Sequence, residues 1–251
     1  MEFARLLTCL ETDAAGLREA AGDNLGAPVP TCPEWTVADL VHHVAEVYLH
    51  KTECMRRGEF PQPWPPDRGQ EPPLERLDRA GAGLAAEFAA RDPGSATVTW
   101  YEPDQTVGFW IRRMAQETVI HRVDAELARG PAGPIPADLA LDGISEVLEC
   151  FLRYGSQRWP EEFAGLPDHP TPPVLVTAGG DAWLVRAAKD GVTVRPTPAA
   201  SPAGDAAARV GGDPESVLLW LWRRVGDERV TVSGDRDLVA GLRRLLLDAT
   251  Q

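Results

Sequence analysis

The hydrophobic pattern of the chain changes its period once, across the proline-rich segment 159–173. Before this segment, apolar residues recur every three or four positions, which is typical of amphipathic helices. After it, short apolar runs separated by Gly-Asp and Asp-Gly turns indicate β-strands. The sequence therefore predicts an α+β protein, with a helical bundle in residues 1–158 and a smaller α/β domain in residues 170–251.

The N-terminal part contains enough helical segments for a bundle. One helix is predicted to start directly after Trp35, because Thr36 is a good N-cap and Asp39 completes a capping box. Further helices are predicted at about 74–90, 107–129 and 137–154. Four or five helices of this length with short connections favour a helical bundle.

Two strand-to-helix units are predicted to close the chain, at residues 208–224 and 230–247. Each runs from a strand through glycine to an aspartate that can cap an apolar helix. Their Gly-Asp turns lack the lysine of a phosphate-binding loop, so they are interpreted as helix caps. No Gly-x-Ser-x-Gly or Gly-x-Gly-x-x-Gly motif supports a serine hydrolase or a dinucleotide-binding domain.

Charge and cysteine usage exclude several partner classes. The net charge of −13 argues against nucleic acid and against anionic membranes. The first residues make a poor signal peptide, and no apolar run reaches the length of a membrane span. The four cysteines form no Cys-x-x-Cys pair and fit a reducing cytosol. We therefore expect a cytoplasmic protein, monomeric or homodimeric, that binds neither nucleic acid nor membrane.

The helix that contains "ETVIHRVDAE" (117–126) carries an unusual pair of side chains. At about 100° per residue, Glu117 and His121 point to the same side, in an apolar stripe with Trp110 and Met114. A buried carboxylate needs a partner, because an unpaired buried charge costs several kcal/mol. His121 is one candidate partner, and a metal ion shared by Glu117 and His121 is another.

A third candidate ligand lies on the earlier helix, where His43 falls within the apolar stripe. Two histidines and one carboxylate with an open fourth position suit catalytic zinc or another divalent metal. Asp124, one turn after His121, is expected to orient that imidazole as a hydrogen-bond acceptor. Arg122 points about 100° away from His121 and is expected to be structural or exposed. The residues alone leave open an ordinary hydrogen-bonded pair without metal.

The stretch "VPTCPEWTVADLVHHVAEV", followed at a distance by "WIRRMAQETVIHRVDAE", resembles the mycothiol-dependent maleylpyruvate isomerase family of actinobacteria, part of the DinB-like superfamily of metal-binding bundles. "IPADLALDGISEVLECFL" is similar to the last helix of the family's bundle, and "GDPESVLLWLWRR" with "VTVSGD" to its C-terminal domain. The resemblance thus extends over nearly the whole chain. It implies a four-helix bundle that holds zinc through two histidines and a glutamate, with a sterol-carrier-like α/β domain.

The resemblance also assigns individual residues. By motif position the metal ligands are His43, Glu117 and His121. The family's C-terminal helix commonly ends in Gly-Arg, and the arginine is implicated in activity. Here the dipeptide is Arg223-Arg224, so Arg224 is the candidate catalytic and cofactor-binding residue, and Arg223 replaces the glycine. We expect Arg224 to bind a carboxylate of the substrate or of the thiol.

The expected chemistry follows from a metal with an open position, which can hold a thiol as its thiolate near neutral pH. None of the cysteines matches a ligand position, so the thiol is expected to be external, and the resemblance implies mycothiol. A thiolate can add to a small electrophile and give either an isomer or a conjugate. Two alternatives remain open: a metal-retaining binding or resistance protein without turnover, and a metal-dependent hydrolase.

Overall fold

The computed structural model describes residues 1–66, 69–198 and 206–250. The chain forms two compact units, Met1–Gly133 and Pro134–Gln251. The first unit is mainly helical and the second contains a five-stranded sheet, so the predicted α+β class is confirmed. No helix within the described ranges is long and apolar enough to cross a lipid bilayer.

The division between the units lies earlier than the sequence predicted, after Gly133 rather than after residue 158. The helix predicted at 137–154 therefore belongs to the second unit and is not the last helix of the bundle. Its buried apolar side chains include Leu139 and Ile144, and it packs on a later helix of the same unit. The apolar stripe was identified correctly, but a stripe does not show which neighbour covers it.

In the part of the first unit that the structure describes there are four helices: α1 Phe3–Ala21, α2 Val37–Arg57, α3 Pro73–Ala90 and α4 Val107–Leu127. In α4, every residue from Val107 to Ala125 except Arg112 is buried. A helix that is covered on all sides lies at the centre of its bundle. Polar groups on α4 are therefore shielded from water by the other helices.

The start of α2 is fixed by the predicted capping box. The Asp39 backbone N–H donates to the Thr36 hydroxyl at 3.3 Å, and the Thr36 backbone N–H donates to the Asp39 carboxylate at 2.9 Å. Directly before this cap, β1 (Pro28–Val29) pairs antiparallel with β2 (Cys32–Thr36). The sequence did not predict this hairpin, which places Trp35 directly before the N-cap of α2.

The second unit begins with a continuous helical rod made of α5 Ala137–Glu146, a π-helical segment Val147–Tyr154 and α6 Gly155–Arg158. The sequence predicted one regular helix over 137–154. A π-helical hydrogen bond joins residues five positions apart instead of four. No residue pattern in this segment predicts that change.

The sheet of the second unit contains β3 Val174–Ala178, β4 Asp181–Ala188, β5 Gly191–Pro198, β6 Ala208–Gly212 and β7 Thr231–Gly234, in the order β5-β4-β3-β6-β7. Among the strands of the described residues, only β3 and β6 pair in parallel. Its two last helices are α7 Pro214–Leu221 and α8 Arg236–Ala249. Their N-caps are Asp213 and Asp235, as the sequence predicted for both strand-to-helix units.

Candidate metal centre

The bundle brings together the three side chains that the sequence predicted as ligands. His43 comes from α2, and Glu117 and His121 come from successive turns of α4. Glu117 Oε1 lies 3.1 Å from His43 Nε2 and 3.2 Å from His121 Nε2. All three candidate ligand atoms lie within 4.8 Å of one another.

These distances fit a divalent metal ion. Tetrahedral bonds of about 2.0–2.1 Å place neighbouring ligand atoms about 3.3 Å apart, close to the two measured N–O distances. His43 keeps 37% of its side chain exposed, whereas Glu117 and His121 keep 11% and 10%. The group is therefore open to solvent on the His43 side, as a centre with a position for an exchangeable ligand requires.

The charge of Glu117 is maintained by Arg113, one turn earlier on α4. The buried Arg113 guanidinium contacts Glu117 Oε2, so Oε1 is left facing the two imidazoles. Burial alone would raise the pKa of Glu117, but the charges of Arg113 and His121 outweigh it and hold that pKa well below its usual value. Sequence reasoning missed Arg113, although its i, i+4 spacing to Glu117 was visible.

Asp124 lies behind His121, as the sequence predicted. Its Oδ2 is 3.0 Å from His121 Nδ1, and its Oδ1 accepts a hydrogen bond of 2.6 Å from the Thr31 hydroxyl. A buried carboxylate at this place favours the tautomer with a proton on Nδ1, which leaves the Nε2 lone pair directed toward the ligand group. Thr31 was not identified from the sequence.

Without a metal ion, the same contacts favour a proton on both nitrogens of His121. Burial alone would lower the pKa of His121, but the Glu117 charge and the hydrogen bonds to Asp124 and Glu117 raise it to about 9. A metal ion must therefore displace a proton from this imidazole at neutral pH.

Trp35, from the hairpin, covers the two histidines. Its ring centroid lies 5.0 Å from that of His43 and 6.5 Å from that of His121, and the two imidazoles meet edge to face at 5.0 Å. An indole at this position supplies an apolar wall, which strengthens electrostatic interactions beside it. No local sequence pattern predicted that Trp35 would contact the two histidines.

Arg122 points away from the ligand group and is structural, one of the two roles expected from the sequence. Its guanidinium donates to Asp13 Oδ1 at 2.8 Å and to Glu126 Oε2 at 2.7 Å. A Cβ atom at Gly16 would lie 2.8 Å from Arg122 Cδ, so glycine makes room on α1 for the arginine stem. This buried network ties α1 to α4.

Asp124→Asn is expected to lower the zinc affinity of the protein by about 10- to 100-fold, since losing the partner behind a ligating histidine typically has this effect. The amide keeps the shape of Asp124 but can present its NH₂ group to His121 and oppose the required tautomer. Competition with a chromogenic chelator measures the affinity. Thr31→Val, which removes only the hydrogen bond to Asp124, is expected to have a smaller effect. An unchanged affinity in Asp124→Asn would contradict the assigned role.

Family models match almost the whole chain. A model of the mycothiol maleylpyruvate isomerase N-terminal domain matches residues 7–126, which include the entire ligand group. A model of the MDMPI C-terminal domain matches residues 138–241. The chain belongs to the mycothiol-dependent maleylpyruvate isomerase family. The boundary between the two matches agrees with the division of the structure after Gly133.

Solved structures of this family share the fold. A crystal structure of mycothiol-dependent maleylpyruvate isomerase is 16% identical in sequence, with a TM-score of 0.62, over 94% of this chain and 95% of that one. A histidine-to-alanine variant of mycothiol-dependent maleylpyruvate isomerase gives the same values. At this identity the likeness establishes the fold alone. No curated protein sequence shows a significant match to the chain.

Arg223 and Arg224, which correspond to the Gly-Arg dipeptide of the family resemblance, form the turn that ends α7 in the second unit. Arg223 has a φ of 61°, the left-handed conformation that favours glycine. Its backbone N–H donates to Trp220 O, and that of Arg224 donates to Leu219 O, which together form a Schellman motif. The glycine of the family pattern is thus explained by backbone geometry, and Arg223 adopts the same turn at a conformational cost.

Arg223→Gly is expected to raise the free energy of unfolding by about 1 kcal/mol, because glycine adopts the left-handed conformation without the steric penalty. The substitution also removes the hydrogen bonds of 3.3 and 3.4 Å that Arg223 Nη2 donates to Thr250. Urea unfolding measures the change. Arg224→Gly serves as the matched control and is not expected to stabilise, because Arg224 is not in that conformation. A destabilised Arg223→Gly protein would show that the side-chain contacts outweigh the backbone strain.

Proposed function

We propose that the protein is a zinc-dependent enzyme that uses mycothiol as a nucleophile to isomerise or conjugate a small electrophilic substrate. The observation that carries this proposal is the convergence of His43, Glu117 and His121 on one point with an open side. The family supports the thiol, since its characterised fold relatives are named mycothiol-dependent maleylpyruvate isomerases. Another divalent metal would satisfy the same ligands.

In this proposal His43 Nε2, Glu117 Oε1 and His121 Nε2 hold the metal ion. When bound, the ion lowers the pKa of a coordinated thiol so that the thiolate is available near neutral pH. Arg113 keeps Glu117 ionised, and Asp124 keeps the proton of neutral His121 on Nδ1. Trp35 limits the access of water to the histidines from one side.

The reaction itself proceeds through addition of the thiol sulfur to an activated alkene. The new C–S bond takes the sulfur electron pair, and the alkene electrons move onto the conjugated carbonyl. The former double bond can then rotate, and reversal of the addition expels the same thiolate and gives the other geometric isomer. If a proton reaches the carbon instead, the thioether is retained as a conjugate.

The thiol is expected to be external to the protein. Cys9, Cys54 and Cys150 are buried and Cys32 is partly buried, and none of the four belongs to the candidate ligand group. Burial disfavours the thiolate, which is the nucleophilic form of cysteine. For Cys54, burial is the main cause that raises the pKa, to about 11.

Arg224 is proposed to bind a carboxylate of the substrate or of the thiol. It follows the left-handed residue at the end of α7, where its Nη1 donates to Trp222 O at 2.9 Å and its guanidinium lies 5.9 Å from the Trp222 ring centroid. A planar guanidinium suits bidentate binding of a carboxylate.

The test supplies zinc to protein purified without chelator and measures turnover of maleylpyruvate and other electrophiles, with and without mycothiol. Turnover that needs both zinc and mycothiol supports the proposal, and Arg224→Met is then expected to raise KM without changing zinc content. Turnover that ignores the thiol would indicate a hydrolase. Binding without turnover would indicate a sequestering or resistance protein, and the absence of stoichiometric metal would refute the site.

Zinc binding at neutral pH is expected to release about one proton from His121, whose pKa is raised to about 9. The apparent affinity should therefore rise with pH up to about 9 and then level off. The apo protein follows the opposite trend: the stability that comes from protonated His121 is fully present below the unfolded value of about 6.5 and is lost as pH rises through 9. Calorimetry in buffers of different ionisation enthalpy counts the protons. Binding without proton release at neutral pH would contradict the charged state assigned to His121.

A further inference from the structure

A cavity of about 150 Å³ lies in the second unit, between α8 and the sheet, and is partly open to solvent. On the sheet side it is lined by Val174 of β3 and by Val185 and Ala187 of β4. Val174 and Val185 are paired directly across the two strands, and each is only 4% exposed. The sheet therefore supplies an apolar floor.

The wall opposite this floor is one stripe of α8. Leu238, Gly241, Leu242 and Leu245 line the cavity, and their i, i+3, i+4, i+7 spacing places them on a single side of the helix. Leu242 and Leu245 are buried. The stripe is thus apolar throughout, and at Gly241 it has no side chain to extend into the cavity.

Neither the backbone nor the packing requires glycine at position 241. Gly241 lies in the interior of α8, and its φ is outside the left-handed region. A Cβ atom there would meet only Arg244 Nη2, at 3.7 Å, among the described residues. Alanine would stabilise the helix relative to glycine, and close-packed interiors contain few voids larger than a water molecule. The room beside Gly241 is therefore that of a binding pocket rather than of a packed core.

Arg244 supplies a cation at the mouth of this cavity. Its exposed guanidinium lies beside Gly241 and forms no ion pair with any residue that the structure describes. Asp248, one turn later, instead accepts a hydrogen bond of 3.4 Å from the Gly165 backbone N–H. Asp237, the carboxylate that lines the cavity, is seven residues before Arg244, about 10 Å away along the helix axis. The end of the cavity near Arg244 therefore favours an anionic group.

We propose that this cavity binds a small monocarboxylic acid whose carboxylate pairs with Arg244 and whose apolar body lies between α8 and the sheet. An apolar cavity of about 150 Å³ in another protein holds benzene, which limits the body to about six or seven carbon atoms. The planar guanidinium can donate to both oxygens of a carboxylate. A second charge on the ligand is excluded, because it would be buried against valine and leucine side chains. The site requires neither metal nor thiol and goes beyond the proposed function.

The test uses full-length, zinc-free protein with ¹³C-labelled leucine and valine methyl groups, to which benzoate, benzyl alcohol or acetate is added at constant ionic strength. Benzoate is expected to bind saturably and to shift the methyl signals of Val185, Leu242 and Leu245. Benzyl alcohol has the ring without the charge and should bind more weakly, whereas acetate at the same concentration should leave these signals in place. Benzoate that shifts none of them, or acetate that shifts them equally, would overturn the proposal.

Gly241→Leu is expected to weaken benzoate binding by about tenfold or more, because the new side chain occupies the cavity. Gly83→Leu is the matched control: Gly83 lies inside α3 in the first unit, and a Cβ atom there meets no other residue within 4 Å. It should keep the affinity for benzoate. Unchanged affinity in a folded Gly241→Leu protein would place the ligand elsewhere and overturn the proposal. If that variant does not fold, the methyl shifts of the unsubstituted protein decide the location.

Arg244→Met is expected to weaken benzoate binding by about three- to tenfold, since a charge-assisted hydrogen bond at the solvent-exposed mouth is lost. Binding of benzyl alcohol should stay the same. Arg236→Met is the matched control, because Arg236 lies on the same helix and does not line this cavity. An Arg244→Met protein that binds benzoate as tightly as before would refute the pairing with the carboxylate. Since no metal is present in these titrations, their outcome is separate from that of the zinc and mycothiol assays.

Discussion

Replacing His121 with alanine is expected to remove stoichiometric zinc from the protein and to abolish mycothiol-dependent turnover. The loss of zinc affinity should exceed the roughly 10- to 100-fold effect of removing a hydrogen-bond partner of a ligand, because a metal–nitrogen bond itself disappears. Glu117→Gln should act similarly, since an amide oxygen is a weak ligand and the Arg113 guanidinium loses its carboxylate partner. Elemental analysis after dialysis against zinc measures the metal, and a spectrophotometric assay measures turnover.

His169→Ala is the matched control, because His169 is exposed and lies in the other unit. It should keep both the metal and the activity. Circular dichroism shows whether the variants remain folded. A folded His121→Ala protein that still holds one zinc ion with unchanged affinity would eliminate His121 as a ligand.

Arg122→Met is expected to lower the free energy of unfolding by about 3–5 kcal/mol, the typical effect of removing one partner from a buried ion pair. The methionine leaves Asp13, which is 5% exposed, without its guanidinium partner. Burial already raises the pKa of Asp13 despite the opposing charge of Arg122, so the variant's Asp13 should take up a proton. Urea unfolding measures the change.

The exposed pair of Arg18 and Asp78, with a 2.7 Å contact, offers a matched control on the same helix as Asp13. Arg18→Met should lower the free energy of unfolding far less than Arg122→Met does, because water solvates both charges of the exposed pair. Asp13→Leu combined with Arg122→Met should recover much of the lost stability, since no buried charge is left unpaired. Equal effects of Arg122→Met and Arg18→Met would contradict the structural role of Arg122.

The residues of the ligand group could be found from the sequence because two local patterns placed them. Helical spacing put Glu117 and His121 on one side of α4, and the capping box fixed the register of α2 and hence the direction of His43. Whether these three atoms meet depends on how the helices pack. Helical periodicity selected all three residues as candidates, and the sequence resemblance assigned them to one ligand set.

Thr31 and Trp35, which contact Asp124 and the two histidines, could not be found in the same way. Thr31 and Asp124 are 93 positions apart, and Trp35 meets His121 across a similar interval. Such contacts depend on tertiary packing and leave no periodic signal. The assignment of the helix at 137–154 to the bundle was inaccurate for a related reason, because amphipathicity shows that a face is buried but does not identify its partner.

The hairpin Pro28–Thr36 affects how the sequence around the candidate metal centre can evolve. The three candidate ligands belong to helices whose packing resists substitution, whereas Thr31 and Trp35 lie on a short surface hairpin that approaches the same centre from outside. Core positions tolerate few changes, while hairpin positions tolerate many. Variation at Trp35 alters the apolar wall beside the two histidines, while the ligands keep their positions on α2 and α4. Within one scaffold, the range of accepted molecules can therefore diverge without rebuilding the centre.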